Sequence, residues 1–182
     1  MPFSGARQKR KLDDVELYEY AVGSLARKMR TVAELKRLLR ARAHPDEDGA
    51  MAVEVVIAKL KEQKYLNDSH YAAVYSHYRQ TNEKFGRRRV VTDLKAKGVH
   101  GDVIDQAVTT AYEDVNEEKL ARQFLDRKRL KKPQNQRESA RVFRMLMRAG
   151  FSSKTIFVLL KQWDIDDEVF SALESEGENH GE

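Results

Sequence analysis

The sequence predicts an all-α protein, an elongated tandem array of three three-helix modules. Charged residues make up 35% of the chain beside only three prolines and nine glycines, which suits long polar helices, and no run of alternating strand residues is present. A helix ending also recurs. In FGRRRVVTDLKAKGV, Phe85 to Val99, Gly98 sits where a left-handed residue stops a helix and Val99 reaches back to Leu94. In LMRAGF, 52 residues later, Gly150 takes the stop and Phe151 reaches back to Leu146. A fainter copy at Leu38 to Ala43 carries Arg42 in place of the glycine. Three similar endings, spaced about 50 to 60 residues apart, are the mark of an internal repeat.

After a basic, flexible tail over residues 1–13, the first module spans 14–66. Its first helix runs from Asp14 to Met29, with Leu17, Ala21, Leu25 and Met29 as the buried face. Thr31 and Glu34 form the T-x-x-E pattern of a capping box and start a second helix, with Leu35, Leu38 and Leu39 inward and Lys36, Arg37, Arg40 and Arg42 outward. HPDEDG breaks that helix, and a third follows from Ala50 to Gln63 on Val53, Val56, Ile57 and Leu60. The second module, 67–113, opens with a cap at Asn67 or Asp68. It aligns Tyr71, Tyr75 and Tyr78 on one face, continues through the Phe85 to Lys97 helix, and closes on Val103, Ile104, Ala107, Val108 and Ala111. The third, 114–163, is capped by Asp114 or Asn116 and carries Leu120, Ala121, Phe124 and Leu125. It then enters a loop at DRKRLKKPQNQR, where Pro133 and the polar run favour irregular backbone. Val142, Phe143, Leu146 and Met147 drive its second helix; Ile156, Phe157, Leu159, Leu160 and Trp163 drive its third. The 52-residue offset pairs Ile104 with Ile156, Ala107 with Leu159, and Val108 with Leu160. Modules of about 50 residues bury little core alone, so neighbours are expected to lean on one another. Residues 164–182 form an acidic C-terminal segment.

Several function classes lose their chemistry. With no cysteine, disulfides, thiolate catalysis and cysteine-based zinc sites are absent. The first residues lack the apolar core of a signal peptide and no stretch approaches a membrane span, so a cytoplasmic protein with no membrane contact is expected. G-x-x-x-x-G-K-[ST], G-x-G-x-x-G and H-E-x-x-H are missing, and the expectation is a non-enzyme without cofactor or metal. His70 and His77 have no third ligand at helical spacing. Asp102 is read as a helix-start residue rather than half of an acid pair with Asp105. The three tyrosines are read as core rather than as a base-stacking platform.

The positive signal is charge. Residues 164–182 hold eight acids and neither Lys nor Arg, which leaves 34 bases against 21 acids, or +13, in residues 1–163. Such a body expects a polyanionic partner. Glu117 to Arg148 holds eleven bases against four acids. Arg127, Lys128, Arg129, Lys131 and Lys132 stand in nearly unbroken sequence, and Arg137, Arg141, Arg144 and Arg148 follow at helical spacing as a ridge of guanidinium groups. Arg87, Arg88 and Arg89 crowd the first turn of a helix, where the macrodipole favours acids. They form either a solvated basic turn, with Arg89 paired to Asp93, or a site for phosphate or carboxylate. With Arg37, Arg40, Lys95 and Lys97, these runs recur at similar places in the three modules.

These residues resemble those of the bacterial RecX family, inhibitors and modulators of the RecA recombinase. KYLNDSHYA at Lys64 to Ala72 is similar to the family's G-Y-L-D-D-x-R-F-A, and KFGRRRVVTDLKAKGV at Lys84 to Val99 to its G-Y-G-P-x-R-I-x-x-E-L-x-x-K-G-I. The T-x-x-E-L of Thr31 to Leu35 and the RMLMRAGF of Arg144 to Phe151 match in order and spacing, over roughly residues 15 to 163. Lys64 and Lys84 replace glycines, Asn67 an aspartate, Arg87 a proline, and His70 an arginine. The resemblance implies a monomer that lies in the groove of the RecA filament on single-stranded DNA, obstructs ATP hydrolysis and strand exchange, and favours disassembly. Arg37, Arg40, Arg87, Arg88, Arg89, Lys95, Lys97, Arg127, Lys128, Arg129, Lys131, Lys132, Arg141, Arg144 and Arg148 are the candidate contacts to DNA or RecA. The same bases also suit a stand-alone single-strand binder indifferent to RecA.

Overall fold

The structure, a computed structural model, describes residues 10–163. The tip of the basic tail and the acidic segment 164–182 lie outside the described residues. Among those described there are nine α-helices and no strand: α1 (Asp14–Arg27), α2 (Val32–Arg40), α3 (Glu47–Glu62), α4 (Asp68–Thr81), α5 (Arg87–Ala96), α6 (Gly101–Tyr112), α7 (Glu117–Arg127), α8 (Gln136–Arg148) and α9 (Ser153–Lys161). They fall into two compact units. One takes the chain through Tyr71 together with Ala96–Val103; the other takes Ala72–Lys95 and the chain from Ile104 onward.

In the first unit, α1, α2 and α3 close around Leu17, Leu35, Leu39, Val53, Val56, Ile57 and Leu60. Capping boxes start α1 at Asp13 with Glu16 and α2 at Thr31 with Glu34, so two N–H groups at the start of each helix are met by side chains of the same turn. Three expectations are corrected here. Met29 lies beyond α1 and is 42% exposed, while Ser24 takes the buried place and accepts from Arg30 Nε at 2.7 Å. HPDEDG is not only a break, because Glu47, Asp48 and Gly49 form the first turn of α3 under an Asp46 cap. Gly49 is required there: a Cβ would lie 2.2 Å from the His44 carbonyl oxygen. Arg42 does not take the left-handed form. Instead α2 closes through the Arg42 and Ala43 N–H groups, both donating to the Leu39 carbonyl at 2.8 Å. The start of α2 is further held by Asp68, whose Oδ1 accepts from the Val32 N–H at 2.8 Å, and by Thr31 Oγ1 donating to the Lys97 carbonyl at 2.7 Å.

In the second unit, α7, α8 and α9 bury Leu120, Phe124, Val142, Phe143, Leu146, Phe151, Ile156 and Leu160, with Phe85 and Tyr112 against the same core. The 52-residue register holds in three dimensions: Val90 and Val142, Leu94 and Leu146, Ile104 and Ile156, and Val108 and Leu160 are all buried. Gly98 at φ 74° and Gly150 at φ 89° are both left-handed, and after Gly150 the Phe151 N–H returns to the Leu146 carbonyl at 3.2 Å. Asn67 caps α4 by accepting from the His70 N–H, and Asn116 caps α7. Of the three aligned tyrosines, Tyr71 is buried and Tyr75 half-buried, but Tyr78 is 52% exposed and does not belong to the core.

Candidate nucleic-acid interface

The strongest basic feature is α8. Its sequence, QRESARVFRMLMR, places Ser139, Val142, Phe143 and Leu146 in the core and leaves Arg137, Arg141, Arg144 and Arg148 exposed. At 100° per residue these four arginines fall within an arc of about 60°, along about 16 Å of helix. The one acid of the helix, Glu138, is engaged at its start. It accepts from the Gln134 N–H at 2.9 Å, while its own N–H donates to Asn135 Oδ1 at 2.9 Å. Arg137, Arg141 and Arg148 make no ion pair among the described residues, so their charge faces outward. An open cleft of about 530 Å³ runs beside them, lined by Asn135, Arg137, Glu138, Arg141 and Arg144.

The loop that leads into α8 adds further charge. Arg129 is left-handed at φ 53°, and Leu130 N–H returns to the Leu125 carbonyl at 3.1 Å, ending α7 as the glycines end α5 and α8. Arg129, Lys131 and Lys132 are exposed. Arg127 pairs with Glu83 at 3.3 Å, and Lys128 lies over the Phe124 ring, its Nζ 5.7 Å from the centroid.

The arginines of α5 have an intramolecular explanation: the Arg89–Asp93 pair expected from the sequence forms, and beside it lies the end of α8, which the sequence does not disclose. The first N–H groups of α5 meet the last carbonyls of α8: Gly86 N–H donates to Ala149 O at 2.8 Å and Arg88 N–H to Gly150 O at 3.3 Å. The backbones touch, since a Cβ on Gly86 would lie 2.3 Å from Gly150 O and one on Gly150 2.2 Å from Arg89 N. Cations at this point therefore sit beside the negative end of a second helix, which offsets their unfavourable place on their own. Arg89 Nε donates to Asp93 Oδ1 at 2.9 Å and its Nη1 to the Arg148 carbonyl at 3.4 Å; Arg87 Nη2 donates to Thr109 Oγ1 at 3.0 Å. Asp93 also accepts from Arg79 Nη2 at 2.7 Å and Tyr75 O–H at 3.0 Å. Burial, then the bond to Asp93, pushes the Tyr75 hydroxyl above its usual range. An anion at this end of α5 would meet guanidinium groups, because the Gly86 and Arg88 N–H groups already have acceptors.

The remaining candidates lie in α2 and around α5. Arg37, Arg40 and Lys95 are exposed, with Arg40 3.4 Å from Glu54. Lys97 is half-buried and donates to Glu34 Oε1 at 3.0 Å. Burial works to lower the Lys97 pKa, but its bonds to Glu34 and Tyr71 outweigh that and hold it above the usual lysine range. Glu34, for the same pairing and its Thr31 contact, lies below the usual carboxylate range despite its burial. Lys97 thus pairs with α2, whereas Arg137, Arg141 and Arg148 of α8 are exposed and make no ion pair among the described residues. Among the described residues no group of three or more His, Asp or Glu is placed to hold a metal, and no helix is long and apolar enough to cross a membrane.

Known proteins resemble this chain in sequence and in fold. Residues 67–108 match the second three-helix domain of RecX. The chain is 33% identical over 147 residues to regulatory protein RecX of Bacillus pumilus, covering 80% of this chain and 54% of that protein. It is also 33% identical over 161 residues to regulatory protein RecX of Myxococcus xanthus, covering 81% and 86%. It spans about half the length of the Bacillus pumilus and Geobacillus thermodenitrificans relatives. A crystal structure of regulatory protein RecX superposes with a TM-score of 0.67 at 25% identity, over 82% of this chain and 73% of the other. RecX from Lactobacillus salivarius shares the fold, with a TM-score of 0.63 at 21% identity, over 83% and 96%. By its identity to a full-length relative, its matching second domain and its helical fold, the chain belongs to the RecX family of regulatory proteins.

Proposed function

We propose that this protein regulates the RecA recombinase without chemistry of its own. It binds the RecA filament on single-stranded DNA as a monomer in the cytoplasm, lies in the filament's groove, obstructs ATP hydrolysis and strand exchange, and favours disassembly. The observation that carries the reading is the α8 ridge, four arginines on one face of a helix whose other face is core, in a chain that belongs to the RecX family. On this reading Arg141, Arg144 and Arg148, with Arg129, Lys131 and Lys132 of the preceding loop, follow phosphates of the single strand. The bases of α2 and α5 serve the same polyanionic surface, and the chain acts as three three-helix modules with boundaries at 66/67 and 113/114. Phosphate contact carries no sequence information, so binding is expected to be sequence-independent and salt-sensitive, with a log-log slope of about −0.7 per phosphate on single strands.

The experiment is fluorescence anisotropy with one labelled oligonucleotide, bare and coated with RecA, across a salt titration. Preference for the coated strand supports the regulator. Equal or weaker binding to the coated strand favours a stand-alone single-strand binder, which the same arginines would serve.

A further inference from the structure

The first unit carries a surface of the opposite character. Between the start of α1 and the start of α3 lies a cleft of about 560 Å³, lined by Leu12, Met51, Ala52 and Val55 with Asp13, Asp14, Asp46 and Asp48 around it and His44 and Gly49 completing the wall. Met51 and Val55, one turn apart on α3, are 68% and 59% exposed, an apolar strip that the fold does not use. The four carboxylates have local roles. Asp13 and Asp46 cap α1 and α3, and Asp14 and Asp48 sit in first turns where a helix favours acids. None of the four forms an ion pair among the described residues, in a chain with 34 lysines and arginines, so helix ends alone offset their charge. An apolar floor rimmed by four exposed carboxylates repels nucleic acid and complements a cationic peptide.

We propose that this cleft docks a segment of a partner protein that presents an apolar side chain flanked by lysine or arginine. Methionine suits such a floor, because its unbranched, polarisable side chain adapts to the shape set on it. The regulatory reading above supplies the partner's identity, and the inference rests on it for that alone: the cleft is the protein-facing surface and the α8 ridge the nucleic-acid-facing one.

The test uses the full chain, its M51K/V55K variant and a charge-only variant, Asp14→Asn with Asp48→Asn. All four positions are exposed, so M51K/V55K is expected to keep the parent's melting temperature, while the charge-only variant, which loses two first-turn acids, is expected to melt slightly lower, and binding is compared well below both. The first probe is a short leucine-lysine amphipathic peptide, with a leucine-glutamate peptide as control, followed by amide chemical shifts. The proposal expects shifts at Asp14, Asp48, Met51 and Val55 with the basic peptide only, and at least tenfold weaker binding by both variants. Absence of shifts there, or equal affinity of parent and variants, overturns it. The second probe is RecA ATPase on single-stranded DNA. Lost inhibition by M51K/V55K, with unchanged affinity for bare single strands, supports the cleft as the filament contact, and unchanged inhibition overturns that assignment. A parent that never inhibits RecA rejects the regulatory reading, and the peptide result then decides the cleft by itself. Self-association of the parent in sedimentation, absent in M51K/V55K, assigns the cleft to a second copy and overturns the proposal.

Discussion

Lys64 and Lys84 adopt left-handed backbone at φ 61° and 58°, at the two positions where the family pattern carries glycine. A side chain there costs about 1–2 kcal/mol, partly offset because glycine loosens the unfolded chain by about 0.4–1 kcal/mol. Lys64→Gly and Lys84→Gly are each predicted to stabilise by about 0.5–1 kcal/mol, raising the melting temperature by roughly 1–4 °C. A fall in melting temperature would show that the lysine side chains matter more than their backbone. Glu117 is a second residue whose role is local and testable. It accepts from the Ser152 N–H at 2.9 Å and hydroxyl at 2.6 Å, and from the Thr155 hydroxyl. Burial works to raise its pKa, but these bonds and the nearby Arg88 hold it below the usual carboxylate range. A depressed pKa contributes stability above the unfolded value, about 4.3, that is lost as pH falls toward the folded one. Glu117→Gln is therefore predicted to lower stability at pH 7 and to flatten the acid limb of the stability curve below about pH 4.3. An acid limb identical to the parent's would refute the assignment. The Thr31 cap was legible in the sequence, and the caps of α4 and α7 to within two candidates each, Asn67 or Asp68 and Asp114 or Asn116, because a cap depends on neighbours three residues away. The bond of Glu117, the first residue of α7, to the start of α9 was not, because its partners lie 35 and 38 residues on.

At the scale of elements, the helices are legible in the sequence because their apolar stripes are periodic, and the α8 ridge because guanidinium spacing follows the same period. The end of α1 is not, since the periodicity extends through Met29 although the helix stops at Arg27. Nor is the start of α3, since Asp and Gly are turn residues unless a cap and a close backbone approach use them. Nothing local announces that Gly86 meets Gly150. That contact makes a sharp prediction: Gly150→Ala, left-handed and 2.2 Å from Arg89 N, is expected to destabilise by at least about 2–3 kcal/mol, visible as a shift of the urea midpoint. Arg89→Ala removes one of three donors to Asp93 and is expected to cost about 1 kcal/mol, against the mild stabilisation that the helix dipole alone would suggest. Arg141→Glu with Arg148→Glu touches exposed positions and is expected to leave the melting temperature unchanged while weakening single-strand binding and shallowing its salt slope. A parallel salt slope at lower affinity would mean that these arginines do not meet phosphate.

For the whole molecule, an all-α chain with an internal 52-residue register was readable from composition and from two glycine stops, and family membership followed from short motifs in order. The division into two compact units was not readable. Unit boundaries at Tyr71 and Ala96 depend on which helix ends share contacts, such as Lys97 with Glu34, and those partners are 63 residues apart. The central functional claim is that the chain regulates RecA on single-stranded DNA. Its most direct measurement is RecA ATPase on single-stranded DNA, titrated with this protein and, in parallel, with Arg141→Glu/Arg148→Glu. The account predicts inhibition at fewer than one molecule per RecA protomer, because one chain of several modules spans more than one protomer, with the double variant needing several-fold more protein. An ATPase rate unchanged at tenfold excess of the parent protein would contradict it.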